Sequence, residues 1–155
     1  MNKRIAARAV IIDTELNTPI LSVRDGDFYK IPGGKIEENE DLQTGLNREI
    51  KEEVGCDIEI LDKVGEFEFF MESEGRSNYS VCYLAKLVGE RGEPDFDENE
   101  KQRKFELLWV NIDQAIKIFE RCVPKTDDPI EIAIHHRDLN FLKKARDLAV
   151  KHKLV

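Results

Sequence analysis

No run of the sequence holds the roughly 20 consecutive apolar residues that a helix needs to cross a bilayer, and nothing else in it suggests a membrane protein. Basic residues are in short supply. There are 24 Lys and Arg against 32 Asp and Glu, a formal net charge of -8. That balance argues against a duplex nucleic-acid binder, whose affinity comes from cationic side chains displacing counterions from phosphates. Cysteine is scarce: Cys56, Cys82 and Cys122 lie far apart, form no Cys-x-x-Cys pair and sit among apolar residues. They read as small buried thiols in a reducing compartment. The opening Met1-Asn2-Lys3-Arg4-Ile5 is basic, but the apolar stretch behind it is too short and too interrupted by charge for a secretory leader. A cytoplasmic protein is expected. Internal repeats and low-complexity segments are missing as well, which leaves 155 residues, 41% of them hydrophobic, to form one globular domain over 1–155.

Arg8 to Asp13 and Ile20 to Val23 read as strands joined by a turn at Glu15-Leu16-Asn17-Thr18-Pro19. Leu42, Leu46, Ile50 and Val54, spaced by four, predict a helix from Asp41 to Val54 that Gly55 stops. Ile58 to Leu61, Gly65 to Met71 and Tyr79 to Leu87 read as further strands, and Gly89 to Lys101 as an acidic loop. Phe105 to Asn111 comes next as a strand, with Asp113 capping a short helix through Glu120. Asp128-Pro129-Ile130-Glu131 marks the start of a last helix over about 129–152, with a cap, Pro at its first position and an acid in its first turn. Its apolar stripe runs through Ile130, Ala133, Ile134, Phe141, Leu142, Ala145, Leu148 and Ala149. Strands and helices alternate without a linker, the pattern of an α/β domain.

The stretch with chemical content runs from Gly33 to Cys56. At 100° per residue, Leu42, Leu46, Ile50 and Val54 span about 120° and form the buried face. Glu49, Glu52 and Glu53 occupy the arc beside it, at i, i+3 and i+4. Like charges so placed repel by roughly 0.2–0.5 kcal/mol per exposed pair, and by more when partly buried. A counter-charge would relieve them, and hard carboxylate oxygens select Mg²⁺, Mn²⁺ or Ca²⁺. A solvated acidic face laced by Arg48 and Lys51 has the same composition. The preceding loop favours the metal: Gly33-Gly34 allows the backbone to approach a ligand and turn a carbonyl toward a cation, and Glu40 stands just ahead of the first turn.

This segment resembles the signature of the Nudix hydrolases, G-x5-E-x7-R-E-U-x-E-E-x-G-U with U a bulky apolar residue. Gly34, Glu40, Arg48, Glu49, Ile50, Glu52, Glu53 and Gly55 meet it, and Cys56 fills the last apolar slot. Asn39 stands where relatives often carry Gly, and Gly45 where they carry Ala. Tyr29-Lys30-Ile31-Pro32 places an aromatic residue two before the apolar-Pro-Gly-Gly run, as the family commonly does.

The resemblance implies an α/β/α sandwich with a mixed central sheet. It also implies Mg²⁺-dependent hydrolysis, with Mn²⁺ as the alternative ion, of a nucleoside diphosphate linked to a further moiety. By position, Glu49, Glu52 and Glu53 would hold metal with a Gly33 or Gly34 carbonyl, joined by Glu40 and a loop acid such as Glu100. Arg48 would orient a glutamate. The general base would be Glu49 or Glu52, with Glu98 or Glu100 as rivals. Arg24 and Tyr29, with Gly33 and Gly34, are the substrate-binding candidates. A nucleoside triphosphate, normal or oxidised, giving monophosphate and pyrophosphate is the first expectation. ADP-ribose or a nucleotide sugar is the second, and a nucleotide-sensing module without turnover the third. The partner is a small nucleotide, with the chain acting as monomer or homodimer.

The acidic loop also imitates a calcium loop through Asp95, Asp97, Asn99 and Glu106, but Glu100 replaces the turn-forming glycine. Adjacent His135 and His136 point about 100° apart, a poor metal pair, and read as surface residues.

Overall fold

In the computed structural model, which describes residues 3–154, two sheets and four helices enclose two apolar clusters. Met1 and Asn2 of the basic opening lie outside the described residues, as does Val155. Strands β1 (Lys3–Ile12), β4 (Gly33–Lys35), β5 (Asp57–Met71) and β6 (Arg76–Val88) form a mixed sheet in the order β4-β1-β6-β5, with β1 and β6 parallel. Strands β2 (Asn17–Val23), β3 (Phe28–Lys30) and β7 (Glu106–Asn111) form an antiparallel sheet in the order β3-β2-β7.

Helix α1 (Leu42–Glu53) lies on one face of the mixed sheet. Leu46, Ile50 and Val54 pack there on Ala7, Ala9, Ile11 and Ala85, and the alanines let the helix approach closely. The other face carries α4 (Pro129–Lys151), with α3 (Ile112–Arg121) and the second sheet beside it. Val10, Ile12, Cys82 and Leu84 meet Phe119, Phe141, Leu142 and Ala145 in that layer. The expected α/β/α sandwich with its mixed sheet is the observed one.

Several local expectations are revised. Strand β1 begins at Lys3 rather than Arg8, because parallel pairing with β6 runs from Lys3–Ser77 to Ile12–Lys86. The first turn is Asp13 to Leu16, held by the Asp13 carboxylate accepting from the Glu15 and Asn17 amides. Pro19 is therefore within β2, where its missing N–H costs nothing: β3 pairs only Leu21 to Val23 and leaves that flank open. The two expected strands after α1 are one, with bulges between Ile60 and Asp62 and between Lys63 and Gly65.

The acidic loop contains a helix, α2 (Glu98–Gln102), started by a capping box in which Asp97 accepts from the Glu100 amide and Glu100 accepts from the Asp97 amide. That role removes Asp97 from any calcium loop. Asn111, not Asp113, caps α3. His135 is buried, contrary to the surface reading. It stacks on Phe119 at 6.2 Å between ring centroids because α4 is covered along more than its apolar stripe. Cys56 and Cys82 are buried as expected, and Cys122 is half-buried.

Candidate active site

The Gly33-Gly34 segment begins β4, which pairs antiparallel with β1 at Arg8–Gly33 and Ala7–Gly34. Gly33 is sterically obligatory. Gly33 has φ of +140°, and a Cβ there would overlap the Ala7 carbonyl oxygen. A Cβ on Gly34 would lie 2.5 Å from the Glu49 carboxyl carbon, so the Glu49 side chain rests on bare backbone. The turn leading to α1 uses Asn39 at φ of +66°, where Asn is an adequate substitute for Gly in the left-handed region. Gly45 also finds its reason: a side chain there would meet Ile36 and sit 2.8 Å from Glu40 Oε1.

Arg48 organises the exposed side of α1. It grips Glu40 with two guanidinium nitrogens, at 2.7 and 3.2 Å, donates to Glu49 Oε1 at 2.9 Å and donates to the Lys35 carbonyl at 2.9 Å. Glu52 stands 3.7 Å from the same guanidinium with its side chain 40% exposed. Glu40 is held below the usual carboxylate range, chiefly by the bond from Arg48, and also accepts from the Glu37 amide. The Glu40 carboxylate, expected to join the metal, is in this structure bound to Arg48 and the turn.

Glu53 points the other way, into the protein. It is 3% exposed and accepts from the Gly33 amide at 2.8 Å. Its carboxyl also meets that of Glu100, and burial followed by this contact raises its pKa well above the ordinary value. Glu49 is raised too, burial outweighing the attraction of Arg48. Glu100 arrives because the Asp95 amide donates to the Glu52 carbonyl at the end of α1, and residues 92–93 close over Gly55, leaving no room for a Cβ. Of the two rival loop acids, Glu100 lines the cleft, whereas the Glu98 side chain is 84% exposed.

The result is a cleft of about 260 Å³ with Gly33, Gly34, Glu49, Glu53 and Glu100 among its walls. Among the described residues no three carboxylate, imidazole or thiolate groups form a ready-made cage. Glu49 leans on Arg48 and Glu53 on the Gly33 amide, as expected for anions that must otherwise face one another. The donor set nevertheless fits a hard divalent cation: the buried Glu53 carboxyl, raised in pKa by burial, lies against the half-buried Glu100 carboxyl, and a cation between them would relieve the conflict.

Arg24 and Tyr29 are not brought to this cleft. Arg24 is held by Asp27 at 2.9 Å and Glu131 at 2.7 Å, and Tyr29 packs on Phe119. The cleft instead collects Arg4, Arg8, Lys30 and Arg103, which sequence reading did not single out. Arg8 was legible as a charge inside Ala6-Ala7-Arg8-Ala9-Val10 once the strand is known to start earlier. Burial, then the nearby Arg137 charge, push Arg8 down to about 10, which leaves it cationic at neutral pH. Burial and the neighbouring Arg8 charge push Lys30 down to about 8.

Glu53 also makes stability depend on pH. Its folded pKa exceeds its unfolded one, so the protonated form is favoured by folding, and that contribution fades as pH rises above about 4.5. Metal-free protein should lose melting temperature as pH rises above about 4.5, and added Mg²⁺ should flatten the slope. Thermal melts in chelator and in Mg²⁺ from acid to neutral pH would show it; parallel curves would refute it.

The NUDIX domain family model matches residues 2–130. The 8-oxo-dGTP diphosphatase of Proteus vulgaris is 41% identical over 56 residues, covering 34% of this chain and half the length of that relative. A MutT NUDIX hydrolase structure from Burkholderia pseudomallei superposes with a TM-score of 0.56 at 24% identity, covering 73% of this chain and 86% of that one. The MutT protein of Methanosarcina mazei Go1 superposes with a TM-score of 0.61 at 18% identity, covering 94% and 95% of the two chains.

Proposed function

This chain belongs to the NUDIX family, and from that premise we propose that residues 1–155 act as one domain hydrolysing a pyrophosphate bond of a nucleoside diphosphate derivative. The first substrate is a nucleoside triphosphate, oxidised purine forms included, giving monophosphate and pyrophosphate. The observation that carries the reading is the convergence of Glu49, Glu53 and Glu100 on the Gly33-Gly34 backbone, out of α1 and α2. The similarity to the Proteus vulgaris diphosphatase supports the choice of triphosphate.

Glu49, Glu53 and Glu100, with a Gly33 or Gly34 carbonyl, would hold a divalent cation, Mg²⁺ or Mn²⁺, and Glu52 would join from the exposed side. When bound, the cation neutralises phosphoryl oxygens and lowers the pKa of water. Glu49, partly buried and raised in pKa by that burial, would accept the proton of an attacking water. Arg48 is a positioning residue: its two-armed grip on Glu40 and its bond to Glu49 set the angle of that carboxylate. Arg48→Lys gives up the fork and should lower kcat by about 10–100-fold with little change in KM. Steady-state kinetics would decide; unchanged kcat would remove Arg48 from this role.

A chromatographic product screen with and without Mg²⁺ tests the function itself, over normal and oxidised nucleoside triphosphates, ADP-ribose and nucleotide sugars. Metal-dependent release of nucleoside monophosphate from a triphosphate is expected. Metal-dependent binding without product from any substrate would replace the reading by a sensing module.

A further inference from the structure

The cleft is built of two chemically opposite walls. Facing the carboxylates are Arg4 and Arg8 on β1, Lys30 at the end of β3 and Arg103 after α2. In a chain of net charge -8 these four cations have no carboxylate within ion-pair distance among the described residues. Arg8 is the most confined, 3% exposed, with Nε donating to Ser80 Oγ at a long 3.4 Å. Its Nη1 is buried with no hydrogen-bond partner.

The two acids whose charges reach Arg8 are already engaged. Asp138 is taken on one oxygen by Arg137 Nε at 2.8 Å and on the other by the Ile31 amide at 3.1 Å. Glu53 is taken by the Gly33 amide and Glu100. Arg137, fully buried behind Arg8, competes for the same Ser80 hydroxyl and adds repulsion from the rear. An unpaired buried guanidinium is costly unless a ligand completes it.

We propose that Arg8 binds a phosphoryl oxygen of the substrate's polyphosphate chain, with Lys30 as its partner on the same wall of the cleft and Arg137 and Ser80 positioning Arg8. The inference rests on the proposed pyrophosphohydrolase reading. Lys30 and Arg103 flank Phe105, each 5.5 Å from its ring centroid, which adds Arg103 to the same wall.

The probe is inorganic pyrophosphate, followed by titration calorimetry and thermal melts with and without Mg²⁺. Wild-type protein should bind it and gain melting temperature. Arg8→Gln, whose amide can still donate to Ser80, should weaken binding at least tenfold without lowering the melting temperature of the ligand-free protein. Arg8→Lys should fall between, Lys30→Gln should weaken binding in its own right, and the surface variant Lys63→Gln should bind as wild type. For nucleoside triphosphate, KM should rise in Arg8→Gln by a larger factor than kcat falls.

Equal pyrophosphate binding by wild type and Arg8→Gln would overturn the proposal, as would absence of binding by wild type in both metal conditions. If Arg8→Gln does not fold, the Arg8→Lys and Lys30→Gln affinities decide in the same way. Pyrophosphate binding that depends on Arg8, with no turnover of any nucleotide, would defeat the enzymatic reading and leave the anion site. Normal turnover with Arg8-independent pyrophosphate binding would do the reverse.

Discussion

Glu53→Gln should lower turnover by about 10²–10⁴-fold and at the same time raise the melting temperature of the metal-free protein. The two effects have one origin. Glu53 is buried at 3% exposure against Glu100, and its ionised form is disfavoured by that burial. The amide oxygen of the variant can still accept from the Gly33 amide, and its NH₂ can donate to Glu100, so shape and hydrogen bonding survive while the charge conflict ends. What is lost is an anionic oxygen for the cation. Kinetics at saturating Mg²⁺ and melts in chelator measure the pair of effects. A variant that loses activity and also loses metal-free stability would show that Glu53 serves the fold rather than the site. A variant that retains turnover would remove Glu53 from the chemistry.

Gly33→Ala should be strongly destabilising, costing about 3 kcal/mol or more and about 6–12 °C of melting temperature. The backbone is at φ of +140°, and the added methyl would overlap the Ala7 carbonyl oxygen and lie 2.6 Å from Arg8 Cα. Neither neighbour can yield, since both are backbone of the strand to which β4 is paired. Relaxation would have to open the β1–β4 ladder and carry the Gly33 amide away from Glu53. Gly75→Ala is the comparison: φ is +62° and nothing lies within 4 Å of the new methyl, so only the left-handed backbone preference is lost, about 1–2 kcal/mol. Denaturation curves of both variants would check the contrast. Equal losses would mean that the close approach at Gly33 is not what requires glycine.

Much of the fold comes from local chemistry. The spacing of Leu42, Leu46, Ile50 and Val54 sets the face of α1, and Asp41 and Gly55 mark its ends. Asp128-Pro129 begins α4 as read. These signals are legible because helix period, caps and stops act within a few residues. The loop helix α2 was equally available in the Asp97 and Glu100 spacing, which is a capping box, but it is too short to carry an apolar period. The start of β1 and the continuity of β5 were not available, because parallel pairing and bulges are agreements between distant strands.

The candidate site divides along the same line. The sequence alone determined that Glu49, Glu52 and Glu53 share a helix face beside Arg48 and come after a Gly-Gly approach, because these residues lie within one turn or one loop of each other. Only the tertiary structure decided where each is held. It turned Glu53 inward to the Gly33 amide, bound Glu40 to Arg48, chose Glu100 over Glu98, and left Arg24 and Tyr29 outside the cleft. It also placed Arg8 from β1 and Lys30 from β3 opposite the acids, with Arg137 from α4 behind them. Charge in a sequence carries no direction. Whether an arginine meets a carboxylate, a hydroxyl or an empty cleft depends on which strands and helices close around it, and here that closure left its charge unpaired.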